Sequence, residues 1–264
     1  MPSSRKIRST AVAVLIAAGA AGVPAIAQQA KPTPPTAAEW AALAKLPDFT
    51  GVWEVGFGPP GGRGGAGSGR GARAGGPPAG PQLTPAYAAR RQARMANPPE
   101  DSQAANCLPP GMPGIMGQPY PMEFLLTPGL VTIVIEAYTQ VRHIYTDGRP
   151  LPDDPDPKFH GTSVGRWEAD TLVVETVGFS PQTDIAANTP HSDKMKIVER
   201  FRLSDPDTMT IETTVTDADA LAAPWVSNRT LRRHRAWTIA EYICEENNRN
   251  SVDANGKAGI NIKK

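Results

Sequence analysis

The stretch "KMKIVERFRLSDPDTMTIETTVT", residues 194–216, decides the fold class. Its two halves alternate with period two around the turn "SDPDT" at 204–208, the pattern of an antiparallel hairpin. In the first half Met195, Ile197, Glu199, Phe201 and Leu203 share one face; Lys194, Lys196, Arg200 and Arg202 share the other with Val198. The basic face belongs in water, so the apolar face belongs in a core. In the second half Met209, Ile211, Thr213 and Val215 oppose Thr210, Glu212 and Thr214. Matching the two apolar faces across the turn sets Glu199 near Thr213 and points it inward, between Ile197 and Phe201. An isolated carboxylate there is costly to ionise and needs a partner, a hydrogen bond or a proton. It suits an acid–base catalyst, and it equally suits one half of a buried Glu–Arg or Glu–Tyr pair that closes a core.

Working outward, the chain from Met122 is almost entirely strand-like. "MEFLLT", "LVTIVIEAY", "QVRHIYT", "GTSVGRWE", "TLVVETVGF", "MKIVERFRL", "MTIETTVTD", "WVSNRTLRRH" and "WTIAEYIC" are short runs rich in Val, Ile, Thr and aromatics. Consecutive strands without intervening helices predict an antiparallel meander. Closure into an up-and-down barrel removes exposed edges and is favoured; a β-sandwich is the alternative. Upstream, "DFTGVWEVGF" reads as a first strand. Two short helices complete the inventory: "TAAEWAALAKL", with Thr36 and Glu39 as a capping box, and "LTPAYAARRQARMAN", with Thr84 as cap and Pro85 at the first position.

The domain map follows from composition. Arg5, Lys6 and Arg8, a short apolar run and Ala25/Ala27 predict a cleaved signal peptide over 1–27, hence a periplasmic or secreted protein. Residues 28–57 carry the first helix and strand, and 58–82 form a Gly/Pro/Arg insertion too poor in apolar groups to fold. Residues 83–120 carry the second helix and a Pro/Met loop expected to act as a flap or plug. The antiparallel β domain spans 121–250, and 251–264 form a flexible tail. Net charge is +1 and the basic residues are dispersed, which argues against a nucleic-acid partner. No later segment is apolar enough to hold the mature chain in a bilayer. In an oxidising compartment Cys107 and Cys244 are expected to be bonded, and without CxxC or HxxxH spacing no metal is expected.

Alternation sorts the remaining polar candidates. "WTIAEYIC" places Glu241 with Trp237, Ile239 and Ile243, a second interior carboxylate, although the opposite face is also fairly apolar. Tyr138 continues the mixed face Thr132, Val134 and Glu136, which reads as a ligand-cavity wall. In "QVRHIYT" either Arg142 and Ile144 or His143 and Tyr145 face inward. His191 precedes the Glu199 strand and is expected near a barrel mouth; His160 likewise precedes a strand. Ser192 and Asp193 are too close in the chain to form a triad with His191 and read as a turn. "GRWEADTLVVETVGF" is a hairpin pairing Trp167 with Leu172 and Gly165 with Val174. It leaves Ala169-Asp170 as the turn, where a residue at ease with positive φ is preferred.

The set "DFTGVWE", "LTPAYAARR", "PYPMEFLLTPG", "RHIYTDGRP", "GRWEADTLVVETVGF", "HSDKMKIVER" and "EYICEENNR" resembles a group of exported, largely uncharacterised bacterial β-rich proteins. That group usually carries Gly where this chain has Ala169. The "GVWE" start also looks like the Gly-x-Trp opening of lipocalin-like barrels. The resemblance implies a fold and export and carries no reaction.

A phosphate-binding loop, HExxH and a Gly-x-Ser-x-Gly elbow are all missing from the sequence, and no cofactor is expected. The functional expectation is a small-molecule site in the barrel. One reading is an acid–base lyase, isomerase or hydrolase, with Glu199 and His191 as acid and base. Arg142, Tyr138, Glu241 and Thr213 would contact the ligand. The alternative is a non-catalytic binding or carrier barrel.

Overall fold

The computed structural model describes residues 34–56, 80–97 and 106–244, and the backbone of two short strands near the C-terminus. The segment expected to be a signal peptide and nearly all of the Gly/Pro/Arg insertion lie outside these residues. In chain order the elements are α1 (Ala37–Leu43), β1 (Gly51–Val55), α2 (Pro85–Ala96), β2 (Met122–Thr127), β3 (Leu130–Ile135) and β4 (Gln140–Tyr145). Then come β5 (Thr162–Glu168), β6 (Thr171–Val177), β7 (Asp184–Ala186), β8 (Thr189–Pro190), β9 (Lys196–Asp205), β10 (Thr208–Thr216) and β11 (Trp225–Arg233). β12 (Ser251–Val252) and β13 (Ala258–Gly259) pair with each other, within the stretch expected to be a flexible tail.

Nine strands close into a barrel in the order β1-β11-β10-β9-β6-β5-β4-β3-β2, with β2 rejoining β1. The fold is mainly β with a closed barrel and two short helices, the architecture favoured over a β-sandwich. Two details differ from a simple meander. β4 and β5 run parallel, paired at Ile144↔Ser163 and Tyr145↔Val164, because the proline-stiffened connection between them carries the chain back to the end where β4 began. "WTIAEYIC" is not a strand: β1 already pairs with β11 and with β2, so closure leaves no free edge for it.

The hairpin of 194–216 is observed with its expected facing pairs, while the turn is shorter than 204–208: β9 runs to Asp205 and β10 restarts at Thr208, with a register shift between Thr208 and Met209. Glu199 pairs with Thr213, Phe201 with Ile211 and Ile197 with Val215, and all six are buried. The β5–β6 hairpin likewise pairs Trp167 with Leu172 and Gly165 with Val174. Its outer face carries ion pairs of Arg166 with Glu168 and Glu175, and of Arg200 with Glu168. Such half-exposed pairs contribute at most about 1 kcal/mol each.

Ala169 sits in that turn at φ 52°, where its Cβ crowds the backbone. Ala169→Gly is therefore expected to raise stability by roughly 1 kcal/mol, read as a higher urea midpoint at unchanged slope. A lower midpoint would contradict the strain argument.

The α1 capping box is present, with Glu39 N–H donating to Thr36 Oγ1 and Glu39 Oε2 accepting from the Thr36 backbone. Thr84 precedes α2, but its hydroxyl donates to the Asp219 carbonyl at 2.7 Å and makes no cap bond. The Pro/Met loop behaves as a plug: Met112, Ile115 and Met116 are almost completely buried in the core. It begins at Cys107, which is disulfide-bonded to Cys244.

Candidate functional site

Strand alternation on β4 turns Arg142 and Ile144 into the barrel and leaves His143 outside. Arg142 is 1 % exposed, a burial that a guanidinium tolerates only with a counter-charge. Glu199, equally buried on β9, supplies it through an Nη2–Oε2 ion pair. Nη2 also approaches Thr176 Oγ1 at 3.1 Å and Ser163 Oγ at 3.3 Å, and those two hydroxyls lie 2.9 Å apart. The carboxylate expected to face inward is thus half of a buried Glu–Arg pair.

The network is only partly satisfied among the described residues. Arg142 Nε and Nη1, Glu199 Oε1, Thr213 Oγ1 and Ser227 Oγ have no hydrogen-bond partner. Ser227 is the register neighbour of Thr213, which extends the polar line from β9 across β10 to β11. Two residues further along the inner face of β11 lies Arg229, whose Nη1 is also unpartnered. Burial pushes the Arg229 guanidinium down from its usual range, opposed by the charge of Glu199. The plug approaches it closely, since a Cβ at Gly117 would stand 2.9 Å from Arg229 Nε. Any larger residue at 117 would have to displace the guanidinium.

Beside this network the wall opens. β4 and β5 share only two register pairs, and next to them a cleft of about 400 Å³ lies between Gln140–Tyr145 and Lys158–Ser163. Arg142, His143, Tyr145, Lys158, His160 and Ser163 are among its lining residues. The His160 ring is pulled below its ordinary range to about 4, first by burial and then by the Arg142 charge, against a hydrogen bond to the Val141 backbone. Its Nε2 has no partner. His160 is therefore neutral near pH 7.

This has a measurable consequence. The unfolded chain takes up a proton at His160 near pH 6.5, whereas the folded site resists until about 4. Stability present above pH 6.5 should fall as the pH drops toward 4, by roughly 3 kcal/mol for this group at the lower end. His160→Gln should remove that part of the acid destabilisation, read as the difference between the two proteins' denaturation midpoints at pH 7 and pH 4. Parallel pH profiles would contradict the buried, neutral assignment.

Other expected site residues fall elsewhere. His191 is committed to its own loop: Nδ1 lies 2.6 Å from the Ser192 carbonyl, and Nε2 lies 2.9 Å from both Thr183 Oγ1 and the Ser180 carbonyl. It is not among the residues lining the cleft. Ser192 donates its backbone N–H and hydroxyl to Asp217, so the "HSD" triplet organises a turn.

Tyr138 packs against Tyr242, 5.4 Å between ring centroids, in a patch with Tyr120. The mixed face expected to wall a cavity is the outer one, because Val131, Ile133 and Ile135 fill the interior. Glu241 is exposed on the irregular segment that follows the barrel, which corrects its interior placement. Of the expected residues, Glu199, Arg142 and Thr213 are brought together; His191, Tyr138 and Glu241 are not. Among the described residues no group of three or more His, Cys, Asp or Glu is placed to hold a metal.

Two residues escaped their sequence context. Arg229 lies in "WVSNRTLRRH", where neither alternating face is apolar enough to mark the inside. His160 stood out only as a histidine before a strand, and the parallel seam that buries it joins distant segments.

Fold and site together define a closed, disulfide-linked β-barrel with a charged interior and a lateral cleft at its parallel seam. No family model, no curated protein and no solved structure matches the chain.

Proposed function

We propose that the protein is a periplasmic or secreted small-molecule-binding barrel whose ligand occupies the β4–β5 cleft. The observation that carries this reading is the double role of Arg142, which lines the cleft and is held from behind by Glu199, Thr176 and Ser163. A recognition group fixed by buried partners is pre-organised, so little ordering cost falls on binding. The Cys107–Cys244 disulfide and the signal-like N-terminus support export, and among the described residues no helix is long and apolar enough to cross a membrane.

The unpartnered Nε2 of His160 supports a second reading, in which the barrel performs acid–base chemistry on the bound molecule. His160 would then accept the proton and Arg142 would stabilise developing negative charge, with Glu199 positioning Arg142. His191 takes no part in either reading.

A fragment library titrated into isotope-labelled full chain tests the binding reading. Amide shifts are expected to cluster in 140–145 and 158–163 and to vanish in Val141→Trp, which fills the exposed rim of the cleft. Shifts confined to another surface would overturn it.

A further inference from the structure

Resting on the cleft reading above, we infer the chemical class of the ligand: a small organic carboxylate with a flat apolar body, its carboxylate at the Arg142 end. Charge supplies the first argument. Arg142 and Lys158 line the cleft beside His143 and the neutral His160, and among its described lining residues there is no aspartate or glutamate. The nearby Asp153, Asp154 and Asp156 are exposed and do not line it. Arg149 stacks over Tyr145 at 3.9 Å but is neutralised by its own pair with Asp147.

Hydrogen-bond capacity supplies the second argument. A guanidinium carries five N–H donors, and only the two on Nη2 of Arg142 are engaged. Nε and Nη1 leave three donors unclaimed on a side chain that is 1 % exposed. The unpartnered Arg229 Nη1, Thr213 Oγ1, Ser227 Oγ and Glu199 Oε1 belong to the network behind the cleft and are not among its lining residues. Three open donors on a cleft-lining guanidinium call for an acceptor-rich guest, and Arg with carboxylate is among the strongest charge-assisted pairings.

The interior charge balance agrees. Arg142 and Arg229 face Glu199 in one network. Asp217, the other buried carboxylate among the described residues, is occupied by donors from Ser192, Asp219 and Ala220. The three charges leave the barrel wall behind the cleft net positive, which favours an anionic guest over a neutral one. Tyr145 and Phe159, also on the lining, offer the flat apolar surface for the ligand's body.

Benzoate and its neutral isostere benzamide distinguish this inference from the cleft reading itself. Each is titrated into the full chain and followed by amide shifts. Benzoate is expected to perturb Val141–His143 and His160–Ser163 and to bind at least about tenfold more tightly than benzamide. The exposed Lys158→Met, which leaves the barrel intact, should weaken benzoate about threefold and leave benzamide unchanged. Equal binding of both in the cleft would overturn the carboxylate class and leave the cleft reading standing. If benzoate leaves the cleft amides unmoved, the class is likewise overturned. Only if the fragment library also leaves them unmoved does the cleft reading fall with it.

Discussion

Glu199→Leu should lower the stability of the folded barrel by about 3–5 kcal/mol, because it leaves the almost fully buried Arg142 guanidinium without its counter-charge. The loss exceeds what the pair itself contributes. Two buried ions repay their desolvation only approximately, whereas one left alone repays nothing. The double variant Arg142→Met/Glu199→Leu should therefore recover most of the single variant's loss. Recovery should stop short of complete, since Glu199 also offsets Arg229, which keeps its charge. Urea denaturation of the parent, both single variants and the double variant closes the cycle. A single-variant loss below about 1 kcal/mol would mean that Arg142 finds water or another partner, and that the buried network is not as described.

Replacing Cys107 and Cys244 together by serine should cost up to about 5 kcal/mol. The bond spans a sequence separation of 137 residues and removes much of the unfolded chain's freedom. It also fastens two pieces that make few regular hydrogen bonds, the plug and the segment after β11. Tyr242, two residues before Cys244, packs on Tyr120 and Tyr138 at 5.3 and 5.4 Å, so the ring patch depends on the same tether. Hydrogen exchange should accordingly rise at 107–117 and 236–244 before it rises in β9 and β10, whose registers are set by their own hairpin. Uniform exchange across the barrel would argue that the plug is integral to the core without its tether. Against a typical total stability of about 5–15 kcal/mol, either this loss or that of Glu199 is large enough to expose an otherwise hidden unfolded fraction.

The contrast between Glu199 and Glu241 defines what could be seen in the chain alone. Both are carboxylates in runs of alternating apolar residues. Around Glu199 the opposite face carries Lys194, Lys196, Arg200 and Arg202, which can only be in water, so the inward direction is unambiguous. Around Glu241 both faces are moderately apolar and neither is charged, so period two has nothing to act on. The segment proved to be irregular and exposed. The same reasoning separates Arg142 from its neighbours: in "QVRHIYT" each face pairs one polar with one apolar group, and only the barrel decided between them.

The sequence by itself determined the local matters. It set the β-rich class, the α1 capping box, the Ala169-Asp170 turn and the pairing of Glu199 with Thr213, and with two cysteines in the chain one disulfide was possible. These depend on contacts within a hairpin or a helical turn, where side-chain period and turn chemistry act directly. Only the tertiary structure decided that β4 and β5 meet in parallel, that Arg142 answers Glu199 from 57 residues away, and that His160 rather than His191 stands at the cleft. Those contacts arise where the sheet closes on itself, and closure brings together segments whose local patterns carry no record of one another.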